Sequence, residues 1–193
     1  MRKVTLIIRS LKKITILSGL IFMSITMQAQ NKILIAYYSW SGNTRNMAEQ
    51  IKSYTNADIL EIEPVVAYPA NYNACVDQAK KEINSGFKPA LKVIQTKVES
   101  YDIIIIGSPN WWSTIAPPVA TFLSKYNFSG KKILPFITHG GYRMGRSIDD
   151  IKLLCPTATV LNGLPVKGIS VSSAGNEIQK WLKDNGISIK QTK

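Results

Sequence analysis

Apolar and amphipathic segments alternate along the chain from about residue 30 to its end. Short apolar runs predict strands at 32–38, 57–63, 102–107, 132–138 and 158–161. Apolar residues spaced three and four positions apart predict helices at 44–55, 72–85, 117–126, 146–155 and 174–185. This alternation of strand and helix predicts an α/β fold with a parallel sheet and right-handed crossovers.

The apolar faces of these segments predict where the core lies. The segment 102–107 contains four consecutive isoleucines, which is typical of a strand covered by helices on both faces. Shared helical faces are predicted for Met47, Ile51 and Tyr54, for Val119, Phe122, Leu123 and Tyr126, and for Ile178, Trp181 and Leu182. Residues 30–193 have the length of one domain, and they contain no internal repeat, linker or low-complexity tract.

The first 29 residues have a different pattern and are predicted to form an export signal. Five basic residues come first, Ile14 to Met27 is mostly apolar, and Ala29 offers a small residue for cleavage. The expected location of the mature chain is therefore outside the cytoplasm, in the periplasm. The alternative is an uncleaved membrane anchor, although this apolar run is short for a membrane span.

The charge of the chain changes when this segment is set aside. The whole sequence has 24 basic and 12 acidic residues and a formal net charge of +12. Five of the basic residues and none of the acidic ones lie in residues 1–29, so the remainder carries +7. The remaining lysines are scattered over predicted surfaces, which disfavours nucleic-acid binding. An acidic partner or a negatively charged membrane surface stays open.

Both cysteines are predicted to be structural. Cys75 lies on the apolar face of the predicted helix 72–85, and Cys155 shares an apolar stripe with Ile148 and Ile151. A disulfide is permitted outside the cytoplasm but is not expected, because another helix separates the two in the topology given below. The sequence contains no cluster of metal-ligating residues, and no metal site is predicted.

The segment from Ser39 to Thr44 has the composition of a phosphate-binding turn. Three hydroxyls, Gly42 and the free amides of a helix N-terminus can surround a terminal phosphate. The segment has neither the lysine of a Walker loop nor the three spaced glycines of a dinucleotide fingerprint, so a phosphomonoester with a large organic body fits better. The alternative is an ordinary helix cap by Ser41 or Asn43. The position after the first strand favours a ligand, because open parallel sheets bind ligands at that edge.

Two further loops follow predicted strands and contain aromatic and glycine residues. Pro109 and Asn110 precede Trp111 and Trp112, whose side chains must point to opposite sides of extended backbone. At least one of the two can therefore stack on a planar ligand, unless both only cover the sheet edge. The other loop runs through Thr138, His139, Gly140, Gly141 and Tyr142, whose glycines allow backbone to approach a ring. The only histidine, His139, could be a proton donor or ring contact, or could simply bond to backbone.

Together these three loops resemble those of flavodoxins and flavodoxin-like proteins. SWSGNT resembles the loop that holds the phosphate of flavin mononucleotide (FMN), and GSPNWW and THGGY resemble the two loops that flank its isoalloxazine ring. The C-terminal LNGLPVKG and EIQKWLKDNG resemble the last strand and helix of a bacterial flavodoxin-like subfamily. The resemblance implies a single doubly wound domain over 30–193, with a five-stranded parallel sheet in the order 2-1-3-4-5 and helices on both faces. It implies FMN contacts at Ser39, Trp40, Ser41, Gly42, Asn43, Thr44, Pro109, Asn110, Trp111, Trp112, Thr138, His139, Gly140, Gly141 and Tyr142.

The function implied by the resemblance is that of an FMN-binding redox protein, with an electron carrier favoured. The alternatives are an FMN-dependent NAD(P)H:quinone oxidoreductase and a non-catalytic flavin-binding module. No second nucleotide fingerprint is visible, and reduced nicotinamide is not ordinarily available outside the cytoplasm, which counts against the oxidoreductase. A carrier implies a redox partner protein, either acidic or membrane-associated. The positive net charge departs from acidic flavodoxins and predicts a less strongly reducing flavin.

Overall fold

The computed structural model describes residues 31–190, so the predicted signal segment 1–29 lies outside the described residues. Residues 31–190 contain seven strands: β1 Ile33–Tyr37, β2 Asp58–Glu61, β3 Ile103–Trp111, β4 Thr114–Ile115, β5 Lys132–His139, β6 Thr159–Val160 and β7 Leu164–Lys167. The described part of the chain also contains five α-helices: α1 Asn43–Tyr54, α2 Tyr72–Ser85, α3 Pro117–Lys125, α4 Ser147–Leu154 and α5 Gly175–Asp184. Two 3₁₀ helices cover Val98–Ser100 and Gly168–Ser173. Within residues 31–190, no helix is both long and apolar enough to cross a membrane.

The sheet is parallel along its main path and runs in the order β2-β1-β3-β5-β6. This confirms the predicted order of the five parallel positions. Two differences concern the number of strands. The fifth position is divided into β6 and β7, which both pair with β5, and a short β4 pairs antiparallel with the end of β3.

Pro135 explains why the fifth strand is divided. The amide of Leu161 donates to the carbonyl of Ile133 at 2.8 Å, so Ile133 bonds toward β6. Pro135 lies two residues further and faces the same side, but it has no N–H to donate. The ladder is therefore interrupted, and Lys132 pairs with Thr159 whereas Phe136 pairs with Leu164. The register shifts by one residue across the gap, as in a β-bulge.

Alternate residues of the central strands form a core on each face of the sheet. Ile104 and Ile106 point to the face covered by α2, α3 and α4, and Ile103 and Ile105 point to the face covered by α1 and α5. The predicted helical faces are buried there: Met47, Ile51, Val119, Phe122, Leu123, Ile178, Trp181 and Leu182. This arrangement confirms a doubly wound α/β domain with helices on both faces.

Both cysteines are buried and unpaired, as small apolar side chains of the core. Cys75 lies in α2, and the Cys155 thiol follows α4 and donates to the carbonyl of Leu123 at 3.8 Å. Burial raises the pKa of the Cys155 thiol to about 11. Burial also raises the pKa of Cys75. Neither thiol is in the reactive thiolate form near neutral pH.

Candidate cofactor site

The segment between β1 and α1 forms an open helix N-terminus at the carboxyl edge of the sheet. Gly42 is the N-cap residue, with φ of 90°. The first intrahelical bond runs from the amide of Asn46 to the carbonyl of Gly42 at 2.9 Å. The amides of Asn43, Thr44 and Arg45 therefore have no acceptor within the helix, and the helix dipole adds partial positive charge at this end.

No side chain caps this helix. The alternative interpretation of the sequence, a cap by Ser41 or Asn43, is therefore wrong. A left-handed φ is costly for residues with a Cβ atom, and this accounts for a glycine at position 42. A Cβ atom at Gly42 would meet no heavy atom within 4 Å, so the requirement is conformational rather than steric.

Two hydroxyl groups beside this terminus are buried. The Oγ atom of Ser39 is inaccessible to solvent and has no hydrogen-bond partner. The Oγ1 atoms of Thr44 and Thr138 lie 2.8 Å apart and share a hydrogen bond, which joins the first turn of α1 to the end of β5. A buried hydroxyl without a partner costs free energy, so the Ser39 hydroxyl is a candidate hydrogen-bond donor to a bound group.

The side chain of Trp40 turns away from the helix terminus toward α2. Its Nε1 atom donates to the carbonyl of Pro69 at 3.0 Å, and its ring lies 6.2 Å from the ring of Tyr72. These two contacts hold the Trp40 side chain against the start of α2 and the segment before it.

Trp111 is the last residue of β3, and Trp112 is the first residue of the two-residue turn between β3 and β4. Trp111 packs against Tyr38 and Tyr68, with ring centroids 5.6 Å and 4.9 Å away. Trp112 is 47% exposed. Its Nε1 atom donates to the carbonyl of Val76 at 3.1 Å. The sequence prediction of a strand ending at 107 is wrong, because pairing with β5 and then with β4 extends β3 to Trp111.

The turn itself has an uncommon backbone. Trp112 and Ser113 have φ of 50° and 65°, and Arg143 in the loop after β5 has φ of 51°. Among residues 31–190 these are the non-glycine residues with positive φ, and all of them lie in the two loops predicted to flank a ring. Two positive φ values suit the twist of a two-residue hairpin, but without glycine they store strain, which proteins concentrate at functional sites.

Hydrogen bonds to backbone carbonyl groups hold these two loops together. The Nδ2 atom of Asn110 donates to the carbonyl of Arg143 at 2.8 Å. The amide of Arg146 donates to the carbonyl of Ser113 at 2.7 Å. Gly145 lies so close to that carbonyl that a Cβ atom would overlap it. The Asn110 side chain thus has a structural partner, and the two loops form one preassembled wall.

The loop after β5 exposes most of its predicted contact residues. Gly140 and Gly141 are exposed, and Tyr142 is 79% exposed. The Nδ1 atom of His139 is buried without a partner. Burial lowers the pKa of His139, and the positive charges of Arg143 and Lys167 lower it further. The imidazole is therefore neutral at pH 7.

The end of β7 also reaches this edge. The apolar pattern, which predicted a last strand at 158–161, missed it, whereas the segment LNGLPVKG that resembles the last strand of the family contains it. Lys167 pairs in register with His139. A Cβ atom at Gly168 would lie 2.7 Å from the Nδ2 atom of Asn43. The available signal was the rule that loops after parallel strands meet at one edge, applied to a fifth strand that ends at 167 rather than 161.

Comparisons with known proteins agree with this architecture. A family model of flavodoxins matches residues 32–185. A flavoprotein in complex with FMN from Lactobacillus acidophilus NCFM is 28% identical, with a TM-score of 0.64 over 78% of this chain and 98% of that one. A candidate flavoprotein from Bacteroides uniformis ATCC 8492 is 26% identical, with a TM-score of 0.69 over 78% and 99% of the two chains. No curated protein matches the chain.

The family model spans well over half of the sequence, from the residue before β1 to the end of α5. The strand order, the core on both faces and the open helix terminus after β1 are the features of a doubly wound sheet with its ligand loops at the carboxyl edge. The chain belongs to the flavodoxin family.

Proposed function

We propose that this protein binds FMN at the carboxyl edge of its sheet and acts as an electron carrier. The observation that carries the proposal is the N-terminus of α1, where uncapped amides lie beside the buried, unpaired hydroxyl of Ser39. These donors suit a phosphate dianion, because helix N-termini attract anions and amide N–H groups aim at phosphate oxygens. The related Lactobacillus flavoprotein, whose structure holds FMN, supports the choice of ligand.

The fit of a flavin ring is supported by the wall that follows β3 and β5. A second buried atom without a partner, His139 Nδ1, lies beside this wall. The ring of Tyr142 is exposed, and the ring of Trp112 is partly exposed with the Lys80 ammonium 4.7 Å from its centroid, so the remaining surface of both rings can stack on a planar ligand. Ser39, Asn43 and Thr44 would hold the phosphate, and the two aromatic loops would orient the ring and exclude water.

When bound, FMN would accept and release electrons reversibly, and the surrounding residues would set its midpoint potential. A carrier needs a partner protein, and the net positive charge favours an acidic or membrane-associated one. The predicted export signal makes the periplasm the proposed location. FMN-dependent oxidation of NAD(P)H with a quinone acceptor is the competing activity.

The ligand is tested by titrating protein lacking residues 1–29 with FMN and with riboflavin, following flavin fluorescence. We expect one FMN to bind per chain and riboflavin to bind much more weakly, because the helix terminus contacts the phosphate. Equal affinity for the two flavins would overturn the phosphate site. Rapid NAD(P)H oxidation by the FMN-loaded protein with a quinone would replace the carrier by an oxidoreductase.

A further inference from the structure

Several segments at the carboxyl edge of the sheet contain basic residues and no acidic ones. Four of the segments at this edge are residues 38–45, 108–116, 138–147 and 166–170, at the ends of β1, β3, β5 and β7. These segments contain four basic residues and no aspartate or glutamate. The basic residues are Arg45, Arg143, Arg146 and Lys167.

Two of these four cations form salt bridges with carboxylates outside these four segments. Arg45 forms a salt bridge with Glu61 of β2. The Nε atom of Arg146 lies 2.9 Å from a carboxylate oxygen of Asp150 in α4. Arg143 and Lys167 form no salt bridge with any residue of 31–190. These four segments therefore keep two positive charges that have no salt bridge within residues 31–190, and the Lys80 ammonium of α2 lies 4.7 Å from the ring of Trp112.

Both unpaired charges lie on the ring side of the site, around His139. Lys167 is the register partner of His139 across the β5–β7 ladder. Arg143 lies four residues after His139, and Asn110 holds its backbone carbonyl. The positive charges of both residues act on the imidazole, where they disfavour a further proton. The same field favours negative charge at this position.

We propose that Arg143 and Lys167 stabilise the additional negative charge of two-electron-reduced FMN and so make this protein a mild reductant. The inference rests on the proposed function, since it requires FMN in the site. Bound FMN would supply two-electron redox chemistry, and the uptake of two electrons with one proton would leave one more negative charge on the ring beside Arg143 and Lys167. Cations near the ring lower the free energy of the reduced state relative to the oxidised state, and therefore raise the midpoint potential.

A different role for Lys167 would be to bind the phosphate, because Gly168 lies against Asn43. The two roles predict different effects. A phosphate contact is equally strong in both redox states, so its loss weakens FMN binding without changing the potential. A ring contact changes the ratio of the affinities for reduced and oxidised FMN, and that ratio determines the potential.

The test compares Lys167→Gln, Arg143→Gln and the double variant with Lys132→Gln. Lys132 is the first residue of the same strand that ends at His139. The control therefore removes the same charge at the opposite edge of the sheet, roughly 23 Å away for eight residues of strand. Each FMN-loaded protein is titrated with dithionite in the presence of a redox dye, and the affinity for oxidised FMN and riboflavin is measured separately. Circular dichroism checks that each variant is folded.

We expect the potential to fall in both single variants and most in the double variant, and to stay unchanged in Lys132→Gln. For the double variant the ratio of the two affinities should change by about tenfold, which equals about 30 mV for a two-electron couple. Added salt should reduce the difference from the wild type, because screening weakens exposed charges.

Unchanged potentials in folded variants that bind oxidised FMN normally would overturn the inference and leave FMN binding intact. Weaker binding of FMN but not riboflavin, with an unchanged potential, would assign Lys167 to the phosphate and also overturn it. An equal potential shift in Lys132→Gln would show a general effect of net charge and would count against these two residues. Failure of the wild type to bind FMN would overturn the proposed function and the inference with it.

Discussion

Gly42 illustrates how one backbone dihedral can define a ligand site. Its φ of 90° turns the chain so that α1 begins with uncapped amides. Since nothing lies within 4 Å of the position of a Cβ atom, a small side chain would fit but would strain the backbone. The conformation, rather than the space, makes glycine necessary here.

We therefore expect Gly42→Ala to lower the affinity for FMN, because a Cβ atom disfavours this φ by about 1–2 kcal/mol and the backbone relaxes, which moves the amides away from the phosphate position. Gly42→Val should act more strongly. The matched control is Gly86→Ala, since Gly86 caps the C-terminus of α2 with φ of 66° and also has open space around it. Both variants should unfold at lower temperature, but only the change at position 42 should affect the fluorescence titration with FMN. An identical effect of the two variants on FMN affinity would contradict this role.

The pKa of His139 reports the electrostatic potential at the edge. Its titration can be followed without overlap, because His139 is the only histidine in the sequence. Its pKa should lie below the ordinary histidine value and should rise in Arg143→Gln and in Lys167→Gln. Proton NMR of untagged apoprotein can follow this single titration. Lys132→Gln should leave the pKa unchanged, and a normal histidine pKa in the wild type would contradict the prediction.

The sign of the stability effect follows from the same pKa. A depressed folded pKa means that the unfolded chain binds the proton more readily. This contribution to the free energy of unfolding is therefore complete above the ordinary histidine pKa, near 6.5, and is lost as the pH falls through the folded value. Urea unfolding of wild type and His139→Gln between pH 7.5 and about 5 should show the difference.

At the scale of elements, the two adjacent tryptophans at the end of β3 have different surroundings. Trp111 packs against other aromatic rings, whereas Trp112 in the turn is 47% exposed. Trp111→Ala should lower the free energy of unfolding by about 2 kcal/mol, below the range for a full core residue because Trp111 is half-buried among aromatic rings. Trp112→Ala should cost less stability but weaken FMN binding by about 1 kcal/mol. Urea unfolding and FMN titration of both variants measure the contrast. Wild-type FMN affinity in Trp112→Ala would remove this residue from the ring site.

The elements that could be predicted from the sequence are those whose pattern is local. Four consecutive isoleucines indicate a buried central strand, and helical periodicity indicates the buried faces of α1, α3 and α5. The SWSGNT segment likewise combines glycine, hydroxyls and a helix start within six residues. These features require no knowledge of distant residues.

The features that escaped prediction depend on tertiary pairing. The apolar pattern missed β7, which only the resemblance of LNGLPVKG to a last strand included. The break at Pro135 matters only because its missing N–H faces β6 rather than β3, which the pattern alone does not reveal. Asn110 contacts a carbonyl 33 residues later, so its structural role is equally invisible. The sequence also does not show that Arg45 and Arg146 form salt bridges whereas Arg143 and Lys167 form none within residues 31–190.

At the scale of the whole molecule, three buried tyrosines make the free energy of unfolding depend on pH in the alkaline range. Burial and the nearby Glu61 raise the pKa of Tyr37 to about 12. Burial also raises the pKa of Tyr38, and burial together with a hydrogen bond to Glu82 raises that of Tyr68. Their contribution to stability is complete below the ordinary tyrosine pKa near 10 and is lost as the pH rises through the folded values.

We therefore expect the free energy of unfolding to fall steeply between pH 10 and about 12. Urea unfolding at successive pH values, with phenolate absorbance recorded in parallel, measures this. Tyr68→Phe should make the loss less steep, since it removes one of the three groups. Stability independent of pH over this range would contradict the assignment.

The export prediction also concerns the whole molecule. Cells should contain a processed species that begins near Gln30 in the soluble envelope fraction, because residues 1–29 have the pattern of a cleaved signal. N-terminal sequencing after cell fractionation measures this. Full-length protein retained in washed membranes would instead support an anchor.

The gap at Pro135 determines more than the number of strands. If the pairing of β6 continued unshifted to the end of β5, His139 would face Val166, and the side chains of the last strand would be turned to the opposite faces of the sheet. The additional residue in 161–163 instead places Lys167 beside His139. A spacer of one residue, made necessary by one absent N–H, thus determines which side chain reaches the ligand edge. Deleting one residue from this connection would change the electrostatics of the site without altering any residue in it.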